Sequence, residues 1–220
     1  MGVIYMKILN FGSLNIDYVY SVDHFVQKGE TISSSQMNIF SGGKGLNQST
    51  ALGRAGAQVF HAGRIGKGGE FLVEQLKEAG VNTDLVVLDS QCSTGHAIIQ
   101  NDAEGDNCIL LYGGANQRIT KEQIDATLDQ FDAGDYLVLQ NETSNLPYLM
   151  EKAAEKQMKI VLNPSPMDEK IKALPLDKVT LFFVNEIEAA QILGQKELES
   201  TISDAKNEIQ SLKDQAQKDF

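Results

Sequence analysis

The sequence predicts an α/β fold: a parallel sheet with helices on both faces, and beside it a small antiparallel β-sheet. Three observations carry the prediction. Apolar runs of four to six residues alternate with amphipathic segments of ten or more, the rhythm of strand, helix and parallel strand. Two stretches interrupt that rhythm with short strand-like runs and no helix. Four of the apolar runs end in Ser, Asn, Asp or Glu, where an open parallel sheet offers its carboxyl edge to a ligand.

In chain order, "KILNFG" (7–12) is the first buried strand. Residues 18–41 follow as the first interruption and supply two short strands. Residues 44–56 form a helix, and "QVFHAG" (58–63) returns as a strand. The segment 69–80, with "EFLVEQLKEAG" ending in Gly80, is the second helix, since glycine is the usual residue just past a helix end. "GHAIIQNDAEGDNCILLY" (95–112) is the second interruption, a hairpin with "NDAEGDN" between its arms. Thr120 is suited to cap a helix over 120–131, because its hydroxyl can accept from a first-turn N–H and an acidic residue follows. Strands "DYLVLQ" (135–140), "KIVLN" (159–163) and "LFFVN" (181–185) alternate with helices at 145–157 and 186–194. A last helix is expected at 196–218, with Leu198, Ile202, Ala205, Ile209, Leu212 and Ala216 along one face. Residues 6–17, 42–94 and 113–220 are therefore assigned to an αβα core, and residues 18–41 and 95–112 to a β lid. That core is expected to be incomplete, because the last helix should lead to another strand and the sequence ends first; an edge left this way predicts self-association.

The totals narrow the function. The 220 residues are 42% hydrophobic and 22% charged, enough for one sizeable core. The net charge is −11: residues 1–100 hold seven Lys/Arg against eight Asp/Glu, residues 101–220 twelve against twenty-two. Nucleic-acid binding needs a basic face and is excluded as an expectation. No apolar run approaches the length of a membrane span, and "MGVIYMKILNFGS" turns polar too soon for a secretory signal. Cys92 and Cys108 read as free thiols, which points to the cytoplasm.

The strand ends suggest the ligand. Ser13, Asn15 and Asp17 follow the first strand, Asn141 and Glu142 follow 135–140, Asn163 ends 159–163, and Asn185 with Glu186 and Glu188 follows 181–185. Each alone could be a turn or cap residue. Amides and carboxylates converging with few cations suit a ligand covered in hydroxyls, because carboxylates accept from hydroxyls and amides do both. "FSGGKGLNQSTALGRAG" (40–56) adds a glycine-rich helix start. It is not a nucleotide P-loop, since Asn38 stands where the first glycine belongs; "GKG" (66–68) is not a dinucleotide fingerprint, since Phe71 stands at the third glycine. His24, His61 and His96 are too scattered to propose a metal site. Gly42, Gly43 and Gly45 would let a ligand reach the backbone N–H groups at the helix start, with Asn47 one turn inside; a tight turn into a core helix is the alternative.

"GSLNID" (12–17), "GGKGLNQS" (42–49), "QNET" (140–143), "LNPSP" (162–166) and "VNEIEA" (184–189) together resemble the ribokinase-like (PfkB) sugar kinase family, in order over residues 7 to 195. The resemblance implies a Rossmann-like αβα sandwich with a small antiparallel β-sheet lid that often mediates homodimers. It implies transfer of the ATP γ-phosphoryl group to a sugar hydroxymethyl group, O5 of ribose, with Mg²⁺ and a monovalent cation such as K⁺. Matched by position, Asn15 and Asp17 would bind sugar hydroxyls, and Gly43, Lys44, Gly45 and Asn47 would close on the sugar. Glu142 would contact it from a third wall, and Ala97, Ile99 and Leu111 of the lid would cover it. Asn185 would lie by the nucleotide phosphates and Glu188 would hold Mg²⁺ through water. The family's second signature, a "DTTGAGD"-like stretch carrying the catalytic Asp and the anion hole, does not occur in these residues, and "GKGG" (66–69) lacks an Asp usual near position 68. The 220-residue chain is therefore expected to be inactive alone. A non-catalytic sugar-binding or regulatory module, and a kinase for fructose, deoxyribose or a nucleoside, are the alternatives.

Overall fold

A computed structural model describes residues 6–194 of the chain. Ten strands and five α-helices lie within it. The main sheet has six strands in the order β10-β9-β8-β1-β4-β5, all parallel. Its members are β1 (Ile8–Phe11), β4 (Val59–Lys67), β5 (Asn82–Ser93), β8 (Tyr136–Gln140), β9 (Lys159–Asn163) and β10 (Val179–Phe182). The helices are α1 (Lys44–Arg54), α2 (Glu70–Glu78), α3 (Lys121–Leu128), α4 (Leu146–Glu155) and α5 (Glu186–Leu193).

Side chains alternate across a strand, and the strands here divide cleanly. Leu9, Phe11, Leu137, Leu139, Ile160 and Leu162 face α3 and α4, where Ile124, Leu128, Leu149 and Met150 complete one core. Leu14, Val59 and Ile65 pack with Leu46 of α1 and Leu72 and Leu76 of α2 in a second core on the opposite face. Each fully buried Leu or Phe contributes about 1.5–3 kcal/mol relative to exposure. Helices do cover both faces. Thr120 caps α3 as expected, accepting from the Gln123 N–H at 3.2 Å.

Three expectations need correction. The strand β5 was not foreseen; it lies at the sheet edge, pairs with β4 alone and shifts register twice, so its residues lack a buried strand's continuous apolar run. The strand expected at 181–185 is β10, two residues earlier and shorter. The lid is a mixed sheet, not an antiparallel one: its order is β3-β2-β6-β7, and β2 (Asn15–Ser21) runs parallel to β6 (Gly95–Asn101). The reason is topological. β2 continues from β1 and β6 from β5, two parallel strands, so both leave the same carboxyl edge in the same direction; β3 (Gln36–Gly42) and β7 (Asn107–Tyr112) return antiparallel to them. The boundaries expected after Asp17 and before Gly42 fall inside β2 and β3, both members of the lid sheet over their whole length. The helix expected at 196–218 lies outside the described residues.

Candidate functional site

The turn between β3 and α1 has no side-chain cap, and Gly43 precedes the helix at φ 95°, a conformation that favours glycine. The first N–H groups of any helix lack partners within it. Here they are taken from two directions. Lys44 N–H donates to Glu142 Oε2 at 2.9 Å, Gly45 N–H to Ser13 Oγ at 3.2 Å, and Leu46 N–H to the Ser13 carbonyl at 2.9 Å. Ser13 Oγ also donates to Glu142 Oε2, and the Lys44 ammonium donates to Glu142 Oε1 at 3.1 Å. The carboxylate of Glu142, nearly buried, thus sits at the positive end of α1, where a negative charge is stabilised.

This corrects the expectation that a ligand reaches the backbone through the glycines. What approaches is the protein itself. A Cβ on Gly42 would stand 2.2 Å from the Asp17 carboxylate, one on Gly45 2.3 Å from Ser13 N, and one on Gly43 2.9 Å from the Ser13 carbonyl. With its N–H groups occupied by Ser13 and Glu142, the turn is filled and does not offer an anion site.

Below it runs a buried polar network on the α1 face of the sheet. Gln140 Nε2 donates to Asn10 Oδ1 at 3.0 Å and to Gln48 Oε1 at 2.7 Å; Asn10 Nδ2 donates to the Gly45 carbonyl and to Ser49 Oγ, both at 2.8 Å; Ser49 Oγ lies 2.7 Å from His61 Nδ1. Burial pushes the His61 imidazole down to about pH 4, with the Gly12 backbone opposing, so it is neutral here. None of Asn10, Ser49, His61 or Gln140 was singled out as a site residue. Only the polar character of Asn10, His61 and Gln140 at otherwise apolar strand positions could have hinted at them, with Ser49 on α1 giving no such signal.

Asn15 and Asp17 point to one face of the lid sheet, and directly paired residues share a face. Ala97 pairs with Asp17, Leu111 with Ala97, and Ile99 lies two residues beyond Ala97. Asn15, Asp17, Ala97, Ile99 and Leu111 therefore face the same way as the Glu142 cluster. Burial and then the Glu142 carboxylate push the Asp17 carboxyl up, partly offset by Lys44. Asn47 stands exposed on the first turn of α1, with its N–H bonded to the Gly43 carbonyl at 3.0 Å. The arrangement combines two carboxylates, one ammonium and amides, with apolar lid side chains on the same face. It can accept hydrogen bonds from hydroxyls and is net negative.

Other strand-end residues have different employment. Asn141 Nδ2 donates to the Pro166 carbonyl at 2.7 Å, and Asn163 Nδ2 to that of Phe183 at 2.7 Å, so both pin loops. Asn185 and Glu188 form a reciprocal cap on α5: Asn185 Oδ1 accepts from Glu188 N–H at 2.8 Å, and Glu188 Oε2 accepts from Asn185 N–H at 3.0 Å. They follow β10, two strands from β8, or about 10 Å across the same sheet edge. Among the described residues no group of three or more His, Cys, Asp or Glu side chains could hold a metal ion. Glu188 alone, with one oxygen engaged in the cap, does not make a Mg²⁺ ligand set. No helix among the described residues is long and apolar enough to cross a membrane.

Comparison with known proteins gives a consistent result. A family model described as "pfkB family carbohydrate kinase" matches residues 6–219. A ribokinase of Staphylococcus aureus is 34% identical over 199 residues, covering 86% of this chain and 64% of that protein. A ribokinase of Bacillus subtilis is 33% identical over 200 residues, covering 88% and 66%. Among solved structures, a ribokinase of Cryptococcus neoformans in complex with ADP superposes with a TM-score of 0.71 at 35% identity, covering 82% of this chain and 57% of that one. The chain thus spans about two thirds or less of the length of these relatives.

Proposed function

Because this chain belongs to the pfkB family of carbohydrate kinases, we propose that its described residues form the sugar-binding wall of an ATP-dependent kinase that phosphorylates ribose at O5. The observation that carries this is the Glu142 carboxylate, held by Ser13 and Lys44 at the start of α1 with the Asp17 carboxylate as its electrostatic neighbour. Two carboxylates against one ammonium favour an uncharged sugar over a sugar phosphate. Asp17 and Glu142 accept from sugar hydroxyls, Asn15 and Asn47 supply amides, and among the described residues Lys44 is the cation beside them. Ala97, Ile99 and Leu111 exclude water over the pocket, which strengthens every polar contact beneath.

Binding, orientation and water exclusion are what these residues contribute. The family resemblance implies ATP with Mg²⁺ and K⁺ for the whole enzyme; the described residues supply no ligand set for the metal. The signature that carries the family's base does not occur in these 220 residues, so the chain should bind ribose without turning it over. Calorimetry tests this. Ribose should bind in roughly the micromolar to millimolar range, with no ATP-dependent phosphorylation approaching about one turnover per second. Absence of heat at about ten times the top of that range would sink the sugar assignment, whereas turnover would place a base within the chain.

The outer lid face supports a homodimer. Met37, Ile39, Ile98, Leu110 and Tyr112 share the side opposite Asp17, and Leu110 is 68% exposed. Such a patch marks an interaction site. Leu110→Glu should convert dimer to monomer in sedimentation; an unchanged mass refutes the lid as the interface. The free thiols Cys92 and Cys108 accord with a reducing, cytoplasmic setting.

A further inference from the structure

We propose that the short 3-10 segment Gly114–Arg118 is a clamp that, through Asn116 and Gln117, orients Asn15 and Glu142 and ties both to the root of the lid. It takes its ligand from the sugar reading above, but its geometry stands apart from it.

Asn116 is 1% exposed and lies between the two candidate contacts. One of its amide atoms is 3.0 Å from Leu14 N. A backbone N–H can only donate, so that atom is Oδ1. Nδ2 then donates to the Leu14 carbonyl at 3.2 Å and to the Asn15 side chain at 2.8 Å, and the Asn15 atom facing it must be its oxygen. Polarity therefore passes from a main-chain N–H to the site. Asn15 has its acceptor occupied and keeps its NH₂ group for a ligand oxygen. A hydroxyl that accepts from Asn15 and donates to a carboxylate satisfies both sides of the pocket, whereas a deoxy position satisfies neither.

The same segment holds the opposite wall. The Asn116 carbonyl accepts from Ser144 N–H at 3.1 Å, and Gln117 Nε2 donates to the Glu142 carbonyl at 2.8 Å. Glu142 is thus gripped on its main chain by Gln117 and at its carboxylate by Ser13 and Lys44. Two glycines make the room: a Cβ on Gly113 would lie 2.5 Å from Gln117 Cγ, and one on Gly95 2.3 Å from Asn116 Nδ2. Gly95 opens β6, and Gly113 follows the last residue of β7. The clamp sits where the lid leaves and rejoins the core, so a displacement of the lid root acts on both walls at once. Asn116 and Gln117 are positioning residues.

The test uses the 220-residue chain. Gln117 is exposed, so Gln117→Met removes the donor and leaves the fold. With Glu142 loosened, hydrogen exchange at the Lys44 amide, bonded to Glu142 Oε2, should accelerate about three- to tenfold, and ribose affinity should fall by a similar factor. Gln117→Lys keeps a donor and should restore both. Asn116→Asp sets an oxygen against the Asn15 oxygen and should weaken ribose binding about tenfold or more. Unchanged Lys44 exchange in Gln117→Met, or equal acceleration in Gln117→Lys, overturns the clamp. A wild-type chain that ignores ribose overturns the sugar assignment instead, and Lys44 exchange then decides the clamp alone.

Discussion

Gly45→Ala sets two magnitudes against each other. Gly45 is the second residue of α1, and on helix propensity alone alanine should stabilise there by about 0.8–1 kcal/mol. Its Cβ, however, would stand 2.3 Å from Ser13 N and 2.6 Å from both Gly12 C and Gly12 Cα, when ordinary contact begins at 3.4 Å. All three atoms are backbone, so no flexible side chain can swing away. The start of α1 must retreat from β1 by roughly 1 Å, an overpacking that costs about 1–3 kcal/mol. Retreat also stretches the bonds from Leu46 N to Ser13 O, from Gly45 N to Ser13 Oγ and from Asn10 Nδ2 to Gly45 O, each worth about 0.5–1.5 kcal/mol. The net loss should be about 2–4 kcal/mol, or about 5–15 °C in thermal midpoint for a chain of this size. Thermal and urea denaturation followed by circular dichroism would measure it. A variant as stable as the parent would refute the reasoning, because propensity would then outweigh the approach of β1 to α1.

Replacing Glu142 by Gln leaves a group that cannot accept at both ends, so the partners at Ser13 and Lys44 lose about 1.5–3 kcal/mol of charge-assisted bonding; ribose affinity should fall at least about tenfold by calorimetry, and the Asp17 carboxyl should titrate lower by NMR as its like-charged neighbour disappears. His61 titrates near 6.5 when unfolded and about 4 in the fold, so the unfolded chain binds more protons between those values and stability falls as pH drops through that window. The loss should reach about 3 kcal/mol in urea titrations at pH 7 and pH 4, and His61→Phe should flatten the slope; an unaltered slope would mean that other groups set it. Asp17 works in the opposite sense, since its raised carboxyl favours the folded state below the carboxylate range and that benefit fades as pH rises past it. Asn185→Ala removes half of the reciprocal cap on α5 and should cost about 1 kcal/mol, seen as faster exchange at Ala189 N–H; no change there would show that the cap is incidental.

Much of this was legible in the sequence because it is local. Apolar alternation announces strands and helices, a Thr before an acidic turn announces a cap, and five short motifs announce a sugar-kinase family. Expectation failed where the determinant was distant. β5 is an edge strand paired on one side only and needs no continuous apolar run. Asn141 and Asn163 carry the same strand-end signature as Glu142, yet they pin loops, because whether a side chain turns to a pocket or to a neighbouring carbonyl depends on segments some twenty residues away.

By itself, the chain of residues determined the strand–helix alternation, the interrupted stretches that become the lid, and the stock of amides and carboxylates at one sheet edge. Tertiary structure alone decided what the glycines admit, which is the Asp17 carboxylate and the Ser13 backbone. It also decided that β2 and β6 run parallel, and that the Asn15 side-chain oxygen accepts from Asn116 Nδ2. Periodicity and caps are set by residues three or four apart, whereas these outcomes are set by groups meeting across 25 to 101 positions, and no local pattern records such a meeting.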